Sequence, residues 1–282
     1  MAQWMPRVVR RRAAIAEADV VHVHYATSVP LLTQRGMPRR PYVLHLHGTD
    51  IREQWAAPAT HGLIQDAIDG ARHVYYANLD TAEQARAARS DAEFLPQPIE
   101  VDGLPPWRPG SEGGRPTVVF TSRWDDVKGA PANIELAQYL HAALGPETVL
   151  VGLDWGQRAP AARAAGVRLV PVMDIGGFHA LLASADVAVG QARPVLAGSE
   201  WEAMGIGVPL AALGSRIPRP EDGTTPPVLE GSLQAVVEAV RIAMLDPRGT
   251  SERLDGARWV RQHHAAGPLI APLLEAYRAA RL

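Results

Sequence analysis

The sequence predicts an α/β protein built of two doubly wound, Rossmann-like lobes facing across a cleft. Three observations predict it. Short β-branched runs alternate with alanine-rich helical patterns along the chain. The segment 101–116, VDGLPPWRPGSEGGRP, interrupts that alternation with the Pro/Gly composition of a linker. The length, 282 residues, is long for one core and comfortable for two. The expected division is 1–108 and 109–282, with the boundary near 105–115 and the last helix crossing back onto the first lobe.

The elements follow in order. In the first lobe the apolar runs VVHVHY, YVLHLH, HVYYA and EFL predict strands at 20–25, 42–47, 73–77 and 93–95. Alanine-rich stretches predict helices near 6–18, 60–70 and 80–89. In the second lobe strands are expected at 117–121, 148–152, 168–172, 187–190 and 209–212. Helices are expected at 130–143, 156–165, 176–184, 199–205, 233–245 and 251–264, with an amphipathic helix in the tail after Pro268. The stretch 216–227, with four prolines and Gly223, reads as a long loop.

Composition excludes several classes. Net charge is −2, so no global field recruits nucleic acid or an anionic membrane. No basic–aromatic interleaving marks a nucleic-acid surface. The chain has no cysteine, which removes disulfides, thiolate catalysis and cysteine-ligated metal. That fits a reducing compartment, and a cytoplasmic location is expected. No stretch approaches the roughly 18 to 20 apolar residues that span a bilayer. Arg7, Arg10, Arg11 and Arg12 mark a basic surface helix. A solvated face is the plain reading, and peripheral membrane contact is the second.

Ligands of doubly wound sheets sit beyond the carboxyl ends of the strands. The second lobe opens with TVVFTSRWDDVKGA, where Arg123 and Lys128 follow a strand and precede a helix. Two cations beside a helix N-terminus suit a diphosphate, Arg as a planar fork and Lys as a mobile point charge. The plainer reading is a pair of solvated loop cations. Further on, GQARPVLAGSEWEAMGIGVPLAA carries Glu202 near the start of a helix. A carboxylate there can accept hydrogen bonds from both ribose hydroxyls, or simply favour the helix dipole. Gly205-Ile-Gly207 follows no strand and lacks a further glycine, so it is no dinucleotide fingerprint. The scattered tryptophans read mostly as core or lobe-interface residues, and Trp124, beside Arg123, could line the same cleft.

Other chemistries find little support. There is no Asp-x-Asp, nucleophile elbow or Walker loop. His22, His24, His45 and His47 alternate along strands and share faces pairwise. A zinc site from them is the lesser reading, because no carboxylate joins them at a standard spacing, and no metal is expected at the site.

Taken in order, DVVHVHY, PYVLHLHGTD, FLPQPIEVDG, SRWDDVKGA, LLASADVAVGQ and EAMGIGVPLAA resemble a GT-B glycosyltransferase of the family 4 type, in its retaining branch. The resemblance spans nearly the whole chain. It implies that Arg123 and Lys128 hold the donor diphosphate and that Glu202 binds the donor ribose. It places His47, in His-Gly-Thr-Asp, beside the transferred sugar and acceptor, with Asp50 in the same region. His47, Arg123 and Lys128 are the catalytic expectation.

Two departures stand out. The family's first glutamate is expected at position 194, where this chain has Pro194. Glu200 is nearby and is carried as a donor-side residue, although two residues from Glu202 points elsewhere on a helix. Gln191 or Arg193 could instead reach in from the loop. The chain also enters on a helix rather than on a strand and glycine-rich loop, so the first lobe reads as shortened and open to completion by a protein partner. The implied function is transfer of a sugar, with retention, from a nucleoside-diphosphate-sugar to a small acceptor. The nucleotide-sugar is a co-substrate and no cofactor is expected. Two other readings stay open: a non-catalytic GT-B-like partner protein, and a nucleotide-sugar epimerase or hydrolase.

Overall fold

A computed structural model describes residues 5–110 and 114–281; residues 111–113 of the expected linker lie outside the described residues. The described residues form two compact units, one from Met1–Gln97 with Gly267–Leu282 and the other from Pro98–Ala266. Each is an α/β layer structure on a parallel sheet.

The first unit runs α1 (Met5–Glu17), β1 (Val21–His24), α2 (Pro30–Thr33), β2 (Tyr42–Leu46), α3 (His61–Asp69), β3 (His73–Tyr76), α4 (Ala82–Ala88) and β4 (Glu93–Phe94). The strands pair in the order β1-β2-β3-β4, all parallel. Right-handed crossovers in that order send the connecting helices to one face. There Val23, Leu44, Leu46, Val74 and Tyr76 pack with Ile64, Ile68 and Ala85. The opposite face carries Val43, Tyr75 and Leu95 and is covered by Leu269, Leu273, Ala276, Tyr277 and Ala280 of the last helix. Residues two apart on a strand share a face, so His22, His24 and His45 stand on this second face. Register brings His24 opposite His45.

The second unit runs β5 (Thr117–Phe120), α5 (Ala130–Leu144), β6 (Val149–Leu153), α6 (Ala159–Ala164), β7 (Arg168–Val170), α7 (Ile175–Ser184), β8 (Val187–Val189), α8 (Gly198–Ile206), β9 (Leu210–Leu213), β10 (Leu229–Gly231), α9 (Leu233–Leu245), α10 (Pro247–Leu254) and α11 (Gly256–His264). The chain then enters α12 (Ala266–Ala280), which packs in the first unit. The parallel order is β10-β9-β8-β5-β6-β7. Successive strands depart from β5 in one direction and from β8 in the other, so the topological switch lies between these two neighbours. One face packs Val119, Val151, Ala188 and Leu210 with Leu182, Met204 and Val260 of α7, α8 and α11. The other packs Val118, Phe120, Leu150 and Val189 with Leu136, Leu140, Val236 and Val240 of α5 and α9. Strands buried on both faces read as near-continuous apolar runs, which is why the sequence marks them clearly.

Three features depart from expectation. The helix expected at 251–264 is two helices, because Asp255 adopts a left-handed conformation with φ 51°. The short strand β10 was not anticipated. Trp124 does not line a ligand site: it is 1% exposed, packs on Phe120, and its Nε1 donates to the Leu153 carbonyl at 3.1 Å. An indole flanked by β5 and β6 is drawn into the core because its single donor finds a strand-end carbonyl there. The arginine-rich helix α1 is formed, with Arg7, Arg10 and Arg12 exposed and Ile15 buried. Among the described residues no helix is long and apolar enough to cross a membrane.

Candidate functional site

In the second unit two loops leave the switch point, one after β5 and one after β8. They are tied together by backbone and side-chain bonds. Ala192 N–H donates to the Lys128 carbonyl at 3.1 Å, and Thr121 N–H to the Val189 carbonyl at 2.9 Å. Arg193 donates from Nε to the Val127 carbonyl at 3.0 Å and from Nη2 to the Asp126 carbonyl at 2.8 Å. Gly129 sits between the loops at φ 75°, and a Cβ there would meet the Ala192 carbonyl oxygen at 2.5 Å. Only glycine meets both demands, left-handed backbone and close approach.

Glu200 is the centre of this assembly. It is 0% exposed. Its Oε1 accepts from Thr121 Oγ1 at 3.0 Å, Ser122 Oγ at 2.7 Å and Gln191 N–H at 3.0 Å. Its Oε2 accepts from Ala197 N–H at the start of α8. The carboxylate therefore joins the end of β5, the loop after β8 and the helix that follows. Its oxygens serve the protein's own donors, so Glu200 acts as an internal brace. Gln191 and Arg193, the residues that could reach in for the carboxylate missing at Pro194, both make bonds within the loops. Gln191 Nε2 donates to the Val195 carbonyl at 2.6 Å, and Arg193 is committed as described.

Arg123 and Lys128 flank the same loop. Arg123 keeps 38% of its side chain exposed, with Nε 2.8 Å from Asp125 Oδ2 and the guanidinium 5.6 Å from the Trp155 ring centroid. Asp125 and Trp155 thus orient the fork while one edge stays reachable by solvent. Lys128 ends the short 3-10 turn Asp126–Lys128, half-buried, immediately before Gly129 and α5. The first N–H groups of α5 are engaged within the turn: Ala130 donates to the Asp125 carbonyl at 3.2 Å, Pro131 has none, and Ala132 and Asn133 donate to the Gly129 carbonyl at 3.1 and 3.2 Å, so the side chains of Arg123 and Lys128 supply the positive charge of this loop. Glu202 lies two residues beyond Glu200 and turns toward α7, where its Oε2 is 3.5 Å from His179 Nε2. Burial raises its pKa above the ordinary carboxylate value, and His179 opposes that rise.

In the first unit the predicted residues gather at the carboxyl ends of β1 and β2. Asp50 is 0% exposed and accepts four backbone N–H bonds, from Ala26, His47, Gly48 and Ile51, at 3.0 to 3.1 Å. Burial raises its pKa and these bonds pull it down. Asp50 is therefore a brace for the His47 loop and not a surface carboxylate. Asn78 Nδ2 holds the His47 carbonyl at 2.8 Å. The His47 ring hydrogen-bonds His24, Nε2 to Nδ1, at 2.7 Å. Burial, then the neighbouring His24, lowers the His47 pKa to about 4, so the ring is neutral at pH 7.

Sequence reasoning missed Tyr25. It is a non-glycine residue at φ 69°, directly after β1, with its ring 4.8 Å from that of His47 and 45% exposed. Such backbone costs roughly 1–3 kcal/mol and persists only where its surroundings impose it. Its N–H bond to the His45 carbonyl at 3.0 Å helps impose it here. No local sequence signal announces this, since tyrosine is an ordinary strand residue. The brace made by Glu200 was equally hidden, because a helix-start glutamate reads as a dipole partner.

No protein-family model matches the chain, and no curated protein matches it in sequence. Solved structures do match in fold. Sucrose-phosphate synthase from Thermosynechococcus elongatus aligns with a TM-score of 0.69 at 17% identity, covering 96% of this chain and 76% of that one. HepE from Anabaena, solved in complex with UDP and glucose, aligns at 0.71 and 14% identity, covering 97% and 82%. TarM from S. aureus aligns at 0.71 and 12% identity, covering 96% of this chain and 58% of that one. Over nearly its whole length the chain has the GT-B fold of family 4 glycosyltransferases, two Rossmann-like units on parallel sheets of four and six strands.

Proposed function

We propose that this chain transfers a sugar from a nucleoside-diphosphate-sugar to a small-molecule acceptor with retention at the anomeric carbon. The observation that carries the reading is the placement of Arg123 and Lys128 on the loop that leaves β5 at the switch point, next to the N-terminus of α5. When the glycosidic bond breaks, negative charge grows on the departing diphosphate. A guanidinium fork and an ammonium, on a loop held in advance by the Glu200 brace, stabilise that charge without reorganising. Glu202 supplies an acceptor for the ribose hydroxyls. On the acceptor side His47 presents a neutral ring from a loop that Asp50 fixes. That HepE is solved with UDP and glucose supports a nucleotide-sugar donor for a chain of the same fold.

The test is a thermal-shift panel of UDP, GDP, dTDP and ADP against wild type and Lys128→Ala. A nucleotide at ~100 times its dissociation constant stabilises by about 2.7 kcal/mol. A shift with one nucleotide, absent in Lys128→Ala, is the expected outcome. No shift with any nucleotide overturns the donor site.

Pro194 favours a second reading, in which the chain binds a nucleotide and lends surface to another enzyme. Incubation with the donor alone and with acceptors separates the cases. Transfer needs an acceptor, an epimerase or hydrolase does not, and a non-catalytic partner leaves the donor intact.

A further inference from the structure

Four imidazoles share one face at the carboxyl end of β1 and β2, and the transfer reading uses only His47. His22 and His24 stack at 4.5 Å between centroids, and His45 lies 5.6 Å and 5.5 Å from them. One nitrogen from each of these three rings lies within 4.8 Å of the other two. We propose that His22, His24 and His45 form a binding site for a divalent transition-metal ion of the zinc class.

The hydrogen bonds around the cluster sort its protons. His45 Nε2 reaches the Leu95 carbonyl at 2.9 Å, and a carbonyl only accepts, so Nε2 carries the proton and Nδ1 keeps its lone pair. His22 Nδ1 meets Tyr277 Oη at 2.6 Å, and the buried Nε2 has no hydrogen-bond partner. With Nδ1 donating to the phenol, Nε2 holds an orphaned lone pair. His24 Nδ1 meets His47 Nε2 at 2.7 Å; with Nδ1 donating, His24 Nε2 is a lone pair as well. One consistent set of tautomers thus gives each ring one outward N–H and one free lone pair. This is the outer-partner pattern that orients histidine ligands, with a carbonyl, a phenol and a fourth imidazole as partners.

Three imidazoles with no carboxylate or thiolate suit zinc, copper or nickel and not magnesium or calcium. Three ligands leave a fourth position of a tetrahedral ion open to water. Bonds of about 2.0–2.1 Å bring ligand nitrogens to roughly 3.4 Å, so the nitrogens must close by up to about 1.4 Å and the stacked His22 and His24 rings must turn for their lone pairs to converge. His24 is exposed, which gives an entry path, and His45, 3% exposed, anchors the floor. A bound ion would staple β1 to β2. Through the His24–His47 hydrogen bond it would also fix which nitrogen His47 presents. The proposal rests on this cluster alone and is independent of the transfer reading.

The experiment titrates ZnCl2 into tag-free, chelator-stripped protein by calorimetry, with CoCl2 absorption spectra in parallel. Expected are one saturating equivalent per chain and the intense visible band of four-coordinate cobalt. His22→Ala and His24→Ala, shown folded by circular dichroism, should each weaken zinc binding at least 100-fold. His61→Ala, on α3 of the same unit, should bind as wild type does. Absence of saturable binding, or binding unchanged in both His22→Ala and His24→Ala, overturns the site. A weak, six-coordinate cobalt spectrum overturns it too.

Discussion

Ser122 donates its hydroxyl to Glu200 Oε1 at 2.7 Å, joining the loop after β5 to the helix that follows β8. The bond is one of four that converge on a carboxylate with no solvent access. Replacing Glu200 by alanine leaves two backbone N–H groups and the Ser122 hydroxyl without their acceptor, while the Thr121 hydroxyl keeps the Val189 carbonyl at 3.2 Å. An unsatisfied buried group costs about 1–3 kcal/mol. Glu200→Ala should therefore lose at least about 3 kcal/mol in urea unfolding. A variant as stable as wild type would show that the brace is not needed to hold the loops.

Lys128 and Glu202 can be told apart by their ligands. Lys128→Ala should lower turnover by on the order of 10²–10³, the scale of losing one donor to a developing anion, with the far-UV spectrum unchanged. Glu202→Gln should weaken nucleoside diphosphate binding roughly 10- to 100-fold, since a charged hydrogen bond contributes about 1.5–3 kcal/mol. Inorganic pyrophosphate, which has no ribose, should bind Glu202→Gln as it binds wild type. Equal losses for both ligands would remove Glu202 from the ribose role and return it to its contact with His179.

Much of this was legible in the sequence, and the reason is physical. Strands such as Thr117–Phe120 and Val187–Val189 are buried on both faces, so each appears as an unbroken apolar run. The loop after Thr117–Phe120, with Arg123 and Lys128, was singled out by the rule that ligands sit beyond strand carboxyl ends, and Glu202 lies further on, inside α8. What stayed hidden depends on long-range pairing. Glu200 meets partners 78 and 79 residues away, which no local pattern records. The alternation of His22/His24 and His45/His47 showed shared strand faces, but only register brings His24 opposite His45 and makes a cluster. Trp124 was a cleft candidate only through its place beside Arg123, and its burial depends on packing against Phe120 and Gly152 that the local sequence does not record. The Asp255 break and the positive φ of Tyr25 are backbone choices that their residue types do not announce.

Tyr25 offers a test of stored strain. In Tyr25→Gly the backbone conformation costs nothing sterically, though glycine loses more freedom on folding, by about 0.5–1 kcal/mol. The two effects oppose each other, and relief of roughly 1–3 kcal/mol should equal or exceed the loss. Urea unfolding should find Tyr25→Gly at least as stable as wild type. Under the transfer reading its turnover falls, because the ring against His47 is gone. A variant that is clearly less stable and still fully active would show that Tyr25 is a packing residue.

The histidine face also predicts how the protein responds to acid. Burial, then the neighbouring His47, lowers the His45 pKa to about 3. Burial, then His24, lowers that of His22 to about 4. His47 falls to about 4 for the same reasons. The groups that face this cluster are His24 from β1, Tyr25 after it, Tyr75 from β3 and Tyr277 from α12. Unfolded imidazoles titrate near 6.5. Below that pH the unfolded chain binds protons that the folded chain refuses, so stability falls as pH falls. The contribution is fully present above about 6.5 and is lost progressively toward pH 4. Near pH 5, His45 alone approaches a slope of about 1.4 kcal/mol per pH unit; His22 and His47, better reached by solvent, add less. Urea unfolding in chelator between pH 7 and 4.5 should show this decline for wild type and a shallower one for His45→Gln. Parallel declines in the two proteins would mean that His45 takes up its proton without opposing the fold.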